Sequence, residues 1–124
     1  MFVREIWGEY KGFRTLIAHH VPSTAPNDPS WYCAYVRVPF VMVRNITMMK
    51  FAREFTYGTW LTSDEHPWKM TWPSGKAVEN GCAVVGWDYN FPEENSLITE
   101  EHVRGDLEDF IDRVDEMIRR DIHG

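Results

Sequence analysis

Cysteines and long apolar runs are scarce in this sequence. Only two cysteines occur in 124 residues, Cys33 and Cys82, and both lie in apolar, strand-like runs. We therefore predict two buried free thiols instead of a disulfide, as suits a reducing cytoplasm. No run of about eighteen apolar residues is present, and the first residues lack the pattern of a signal peptide. We expect a cytoplasmic protein that is neither secreted nor embedded in a membrane.

The sequence also lacks the common motifs of catalytic sites. It has no glycine-rich phosphate loop, no Gly-x-Ser-x-Gly motif and no Cys-x-x-Cys pair. It has no basic excess either, since 19 acidic residues face 13 lysines and arginines and the formal net charge is −6. Phosphate contacts need clustered cations, so this balance argues against a general nucleic-acid binder. We expect no cofactor.

The five histidines lack the spacing of metal ligands. His19 and His20 are adjacent, and neighbours in a strand point to opposite faces, so they cannot easily share one metal ion. The other three, His66, His102 and His123, have no spaced cysteine or carboxylate partners. We therefore expect no bound metal.

Aromatic side chains are abundant by contrast. They make up 15% of the residues and include six tryptophans. A small antiparallel sheet can bury only part of them, and surplus Trp and Tyr side chains are typical of surfaces that grip a flat ligand or a partner. The length suits a single domain, residues 1–124, with a hydrophobic core of its own.

Alternation of apolar and polar side chains predicts an antiparallel sheet. The first two strands form a hairpin around Lys11 and Gly12, and proline-rich residues 21–30 form a surface loop. The predicted strands are residues 2–10, 13–20, 31–38, 54–62 and 82–90. The last one reads as a central strand covered on both faces, because four apolar residues begin at Cys82. Residues 40–53 fit neither period, and we predict an irregular connection with a short helical turn after Asn45.

The end of the chain carries the strongest helical pattern. Thr99 is a good N-cap, and apolar residues recur at steps of three and four as the helix runs to about Arg120. The stripe consists of Val103, Leu107, Phe110, Ile111, Val114, Met117 and Ile118. Gly105 is unfavourable within a helix, so we expect a close neighbour beside it. The predicted fold class is α+β, an antiparallel sheet of four to five strands with a long C-terminal amphipathic helix packed on one face.

The same alternation assigns side chains to the two faces of the sheet. Those predicted to meet the helix are Val36, Val38, Phe55, Leu61, Val85 and Trp87. The opposite face is polar and aromatic, with Tyr35, Arg37, Thr56, Gly58, Trp60, Thr62, Gly86, Asp88 and Asn90. Because Gly58 and Gly86 remove side chains from its middle, one interpretation is a shallow groove flanked by Tyr35 and Trp60. The other is a solvated sheet face with scattered rings, and the sequence leaves both open.

Two further features have a catalytic or a partner-binding interpretation. Asp88 ends an apolar strand, where loss of hydration could perturb a catalytic carboxylate. The favoured alternative is a strand-end aspartate that accepts backbone N–H groups. Trp68 and Trp72 lie in a turn-rich loop, residues 63–80, and either fold back on the body of the protein or await a partner.

Three segments and the C-terminal helix follow a set order of motifs. Residues 33–39 read Cys-Ala-Tyr-Val-Arg-Val-Pro, residues 57–62 read Tyr-Gly-Thr-Trp-Leu-Thr, and residues 86–90 read Gly-Trp-Asp-Tyr-Asn. They resemble the Cys-Gly-Tyr-Val-x-Val-Pro, His-Gly-Gly-Leu-Thr and Gly-Phe-Asp-Cys-x-His strands of a family of small, mostly uncharacterised phage and prophage accessory proteins, particularly of actinobacteria. The acidic amphipathic helix that ends those chains is similar to residues 99–120.

The resemblance implies a viral accessory protein that acts in the host cytoplasm, where small phage proteins often blunt host defence. The positions that match the family's motifs are Tyr35, Gly58, Gly86 and Asp88. Two histidines of the family fall at Tyr57 and near Asn90 in this chain. Binding is therefore favoured over metal or acid–base chemistry.

The leading hypothesis is a non-catalytic anti-defence protein that binds and sequesters a small nucleotide-like immune signal. Trp60 and Tyr35 would stack a base, and Arg37 would contact phosphate. The predicted ligand-binding residues are Tyr35, Arg37, Tyr57, Gly58, Trp60, Gly86, Asp88 and Asn90. The alternative is a protein-binding inhibitor of a host defence enzyme that uses its acidic helix or Trp68 and Trp72. Pairing between copies of the first strand leaves a homo-oligomer open.

Overall fold

The structure of the protein is a computed structural model that describes residues 2–21, 30–49, 71–90 and 97–123, without the side chains of residues 47 and 121–123. Its antiparallel sheet has the strand order β1-β2-β3-β4. The elements are β1 Phe2–Tyr10, β2 Phe13–Val21, β3 Trp31–Pro39, a 3-10 turn Phe40–Met42, α1 Val43–Thr47, β4 Cys82–Asp88 and α2 Glu100–His123. The predicted α+β class, with a long C-terminal helix on one face of the sheet, is confirmed.

The opening hairpin follows from its two-residue turn. Lys11 has a φ of 50° and Gly12 a φ of 83°, which is the backbone that a tight hairpin turn requires. Tyr10 therefore pairs with Phe13, and the two strands stay in register over their whole length. Among the described residues β1 has β2 as its one neighbour, and pairing with a second copy at this edge stays a prediction.

Strand β4 is covered on both faces, as predicted. Val85 and Trp87 pack in the core beneath α2, whereas Val84 packs beneath Trp72 on the opposite face. Within the described ranges β4 pairs with β3 alone, along its full length. The predicted strand at residues 54–62 lies outside the described residues.

Helix α2 begins where the sequence predicts. The backbone N–H of His102 donates to Thr99 Oγ1 at 3.1 Å, which satisfies one of the free donors at the start of the helix. Its buried residues are Val103, Leu107, Phe110, Ile111 and Val114. The predicted sheet partners that meet this stripe are Val36, Val38, Val85 and Trp87. None of the helices in the described ranges has an apolar stretch that could cross a lipid bilayer.

The connection after β3 becomes helical earlier than predicted. The 3-10 turn starts at Phe40, immediately after Pro39 ends the strand, and α1 starts at Val43, before Asn45. Its side chains close one end of the core, with Met42, Val43 and Ile46 buried. A segment this short shows little more than one turn of periodicity, so the sequence pattern could not reveal it.

The prediction of a close neighbour beside Gly105 is wrong. Gly105 is exposed on α2, and a Cβ atom built there would meet no atom of the described residues within 4 Å. Its φ also lies outside the left-handed region that favours glycine. The glycine therefore costs helix stability without a packing reason.

Replacing Gly105 by alanine should raise the free energy of unfolding by about 1 kcal/mol, because alanine restricts the unfolded chain and favours the helix. Urea unfolding followed by circular dichroism measures the change. Gly105→Val is the matched control. Its free energy of unfolding should rise less, since a β-branched side chain has a lower helix propensity than alanine. A loss of stability in Gly105→Ala would contradict the open surroundings of this residue.

Candidate functional site

The candidate site lies on the sheet face opposite α2. Cross-strand pairing places Trp7, Leu16 and Tyr35 side by side in one row across β1, β2 and β3. Trp72 covers this row from the segment before β4, with its ring 4.9 Å from that of Trp7 in an edge-to-face contact. We define the tryptophan face as Trp7, Arg14, Tyr35, Arg37, Trp72 and Lys76.

A β-turn positions Trp72 and Lys76. The backbone N–H of Gly75 donates to the Trp72 carbonyl at 2.8 Å, and the backbone N–H of Trp72 donates to the Lys76 carbonyl at 2.8 Å. Pro73 suits the second position of such a turn, and Gly75 has a φ of 90°, which favours glycine. The turn thereby buries the Trp72 ring, which is 3% exposed, and keeps Lys76 at the surface.

Cations gather around the exposed part of Trp7. The guanidinium carbon of Arg14 lies 4.8 Å from the centre of the indole ring, and Lys76 Nζ lies 5.8 Å from it. These distances are within the range of cation–π attraction. The indole N–H donates to Glu5 Oε2 at 3.0 Å. The surroundings of Trp7 thus combine an aromatic ring with two cations and one carboxylate, on a chain whose net charge is −6.

Arg37 already has an acidic partner. Its Nη1 donates to Glu79 Oε1 at 2.8 Å, and its Nη2 donates to the Gly12 carbonyl at 3.3 Å. A hydrogen bond from its own backbone N–H and the bond from Arg37 lower the pKa of the Glu79 carboxyl, and the charge of Arg14 acts in the same direction. The Glu79 carboxylate therefore occupies the position in which a ligand phosphate was expected.

The predicted pair Tyr35 and Gly86 lies together but leaves no groove between them. The two residues are directly opposite each other in β3 and β4. A Cβ atom on Gly86 would lie 2.6 Å from Tyr35 Cδ1 and 2.5 Å from the Ala34 carbonyl oxygen. The sequence interpretation expected open space beside Gly86. That expectation is wrong, because the Tyr35 ring fills the space.

Arg37 and Asp88 share a face but lie at opposite ends of it. Arg37 pairs with Val84 and Asp88 pairs with Cys33, four positions away along β3, which corresponds to about 13 Å. Asp88 Oδ1 accepts the backbone N–H of Asn90 at 3.2 Å, the arrangement given above as the alternative to a catalytic role.

The other predicted site residues divide into two groups. Tyr57, Gly58, Trp60 and Trp68 lie outside the described residues. Trp72 folds back on the body of the protein, where it packs on Leu16 and Val84. Sequence reasoning missed Trp7 and Arg14, since it treated the first as a strand former alone.

The cysteines and histidines supply no metal site within the described ranges. Both cysteines are free thiols, as predicted, although Cys82 is half-buried; burial raises the pKa of Cys33 to about 11. His19 stacks on Tyr32 and His20 stacks on Trp31, on opposite faces of the sheet, and burial lowers the pKa of both imidazoles. No group of three His, Cys, Asp or Glu side chains among the described residues is arranged around a common point for a metal ion.

A buried polar cluster joins β4 to α2. Trp87 Nε1 donates to Tyr89 Oη at 2.8 Å, and Tyr89 Oη donates to Asp106 Oδ2 at 2.6 Å. His102 Nε2 lies 3.5 Å from the same carboxylate oxygen. Because these bonds satisfy the polar ends of two fully buried rings, the cluster fixes α2 on the sheet.

Comparisons of this chain with models of protein families, with curated proteins and with solved structures gave no match. The class is therefore defined by the fold and the site: an α+β protein with an aromatic sheet face opposite its helix, where Arg14 and Lys76 flank Trp7 and the acids Glu5 and Glu79 also lie. The resemblance to phage accessory proteins stays a prediction.

Proposed function

We propose that this protein is a non-catalytic binding protein that captures a small anionic ligand with a flat ring, such as a nucleotide, on the tryptophan face. The observation that carries the proposal is the placement of Arg14 and Lys76 within 6 Å of the Trp7 ring on an acidic chain. An indole can stack on a base, and neighbouring cations can bind phosphate, so the two features match the two halves of a nucleotide.

The geometry changes the role proposed for each residue. Arg14 and Lys76 take the phosphate, because Arg37 is held by Glu79. Trp7 takes the base as Arg14 moves from the face of its ring to the phosphate. Tyr35 lies two strands away in the same row, beyond Leu16. Tyr57, Gly58, Trp60, Asp88 and Asn90 stay in the proposed binding set as predicted members, whereas Gly86 leaves it because the Tyr35 ring covers it.

In a phage setting, a protein of this kind would sequester a nucleotide immune signal of the host in its cytoplasm. The motif resemblance of residues 33–39 and 86–90 supports this part of the proposal. The tryptophan face supports the ligand chemistry independently of that setting.

Calorimetry with cyclic oligonucleotides and ADP-ribose derivatives tests the proposed function. The double variant Arg14→Gln and Lys76→Gln should weaken binding about tenfold or more, because charge-assisted bonds to phosphate are lost. Binding by the unchanged protein should also weaken as salt is raised.

The matched control is Arg113→Gln with Arg119→Gln, which removes the same charge from exposed ion pairs on α2. This control should bind as the unchanged protein does. If no ligand of the panel binds, or if both double variants lose the same amount of affinity, the proposed site is contradicted.

The alternative, an inhibitor that binds a host protein, has weaker support. Trp72 is buried, and several acids of α2 pair with arginines one turn along, as in Glu116–Arg120 at 2.7 Å. Affinity capture from host lysate distinguishes the two functions: recovery of one stoichiometric partner, lost when Trp68 is changed to alanine, would favour the inhibitor.

A further inference from the structure

Strands β2 and β3 separate near the opening hairpin. The pairing of β2 with β3 ends at Thr15 and Val36, although β1 pairs with β2 as far as Phe13 and β3 pairs with β4 as far as Pro39. A pocket of about 240 Å³ lies at this gap, lined by Gly12, Phe13, Arg37, Val38, Pro39, Glu79 and Cys82. We call it the splay pocket.

The splay pocket combines apolar walls with one guanidinium. Phe13 and Pro39 supply accessible apolar surface, and the fully buried Val38 lies behind them. The bond from Arg37 to the Gly12 carbonyl links β3 to the turn between β1 and β2 and fixes the guanidinium in the wall. Glu79 approaches the guanidinium from the solvent side, since its side chain is 63% exposed and that of Arg37 is 23% exposed. A fixed cation beside apolar surface is suited to a ligand with one anionic group and an apolar body.

We propose that the splay pocket binds a small monocarboxylate with an apolar body, whose carboxylate replaces that of Glu79 on Arg37. The Arg37–Glu79 contact at 2.8 Å shows that the guanidinium can donate to a carboxylate in this position. The volume suffices for one aromatic ring with its acid group, because a cavity of about 150 Å³ holds benzene. Trp7, Arg14 and Lys76, which carry the proposed nucleotide site, do not line the pocket, and Arg37 is the residue that the pocket shares with the tryptophan face.

Cys82 lines the pocket, so the rate at which its thiol is alkylated measures whether the pocket is occupied. The half-buried Cys82 and the buried Cys33 are both free thiols. Since burial raises the pKa of Cys33 to about 11, its thiol stays protonated and slow to alkylate at mildly alkaline pH. Mass spectrometry of peptides from iodoacetamide-treated protein therefore follows Cys82 with Cys33 as an internal control for unfolding.

Phenylacetate is the probe, and phenylacetamide is its uncharged control. At about ten times its Kd, phenylacetate should slow alkylation of Cys82 about tenfold, because about one pocket in ten is then open. Phenylacetamide should give little protection. Equal protection by both compounds, or unchanged alkylation at all phenylacetate concentrations, would overturn the proposal.

Two variants test the carboxylate exchange. Arg37→Gln should abolish protection by phenylacetate, whereas Glu79→Gln should reduce the concentration needed, since the internal competitor is removed. Protection that survives in Arg37→Gln or weakens in Glu79→Gln overturns the proposal. If Cys33 becomes reactive in Arg37→Gln, this variant has a disturbed fold. The Glu79→Gln variant alone then decides whether the proposed carboxylate exchange is correct.

Nucleotide binding is measured separately by calorimetry. Loss of nucleotide binding with intact phenylacetate protection would refute the proposed function alone, and the reverse pattern would refute this second site alone.

Discussion

Replacing Gly86 by alanine should destabilise the protein by about 3 kcal/mol, near the upper end for an overpacked core. The added Cβ atom would lie 2.5 Å from the Ala34 carbonyl oxygen and 2.6 Å from Tyr35 Cδ1. The Tyr35 ring can rotate away, but the carbonyl belongs to β3 and cannot shift without disturbing its pairing with β4. Urea unfolding should show the loss, with a melting temperature about 10 °C lower.

The matched control for Gly86→Ala is Gly105→Ala, the same chemical change with the opposite expected sign. The double variant Gly86→Ala with Tyr35→Ala separates the two clashes. If the backbone carbonyl dominates, removal of the ring will not restore stability. A Gly86→Ala protein as stable as the unchanged one would contradict the close approach of β3 and β4 at this position.

Much of the scaffold could be predicted because local patterns determine it. The two-residue turn at Lys11 and Gly12 fixes the register of the first hairpin, and helical periodicity with the Thr99 cap fixes α2. Alternation assigned Val36 and Val85 to the helix side correctly.

The tryptophan face could not be predicted in the same way, because its parts come from separate segments. The hairpin register alone implies that Trp7 lies beside Leu16. It does not determine which residue of β3 follows in the row, since the intervening connection is long. Lys76 reaches Trp7 only through the turn that buries Trp72, and no periodic pattern encodes that contact.

Glycines illustrate the same limit. Gly86 and Gly105 look alike in the sequence, yet one is enclosed by Tyr35 and the Ala34 carbonyl, and the other faces open space. The sequence shows that a side chain is missing at each position. The residues that surround each glycine in the fold are distant in the sequence. They determine whether the missing side chain leaves a groove, makes room for a ring or has no role in packing.

Replacing Trp72 by alanine should have the largest effect on stability, a loss of about 3–5 kcal/mol. The Trp72 ring is 3% exposed and packs on Leu16 and Val84, so its removal leaves a cavity over the sheet. Trp72→Phe is the matched control and should retain most of the stability, because a ring still fills the site. Urea unfolding of the three proteins gives the comparison.

The Trp72 variants also decide between the two proposed functions. Because the Trp72 turn carries Lys76, Trp72→Ala should weaken nucleotide binding together with stability, whereas Trp72→Phe should keep both. A different pattern would favour the inhibitor: Trp72→Ala would unfold at the same urea concentration as the unchanged protein yet fail to capture a host partner. That result would mean that the indole serves a partner surface, and it would contradict the packing of Trp72 between Leu16 and Trp7.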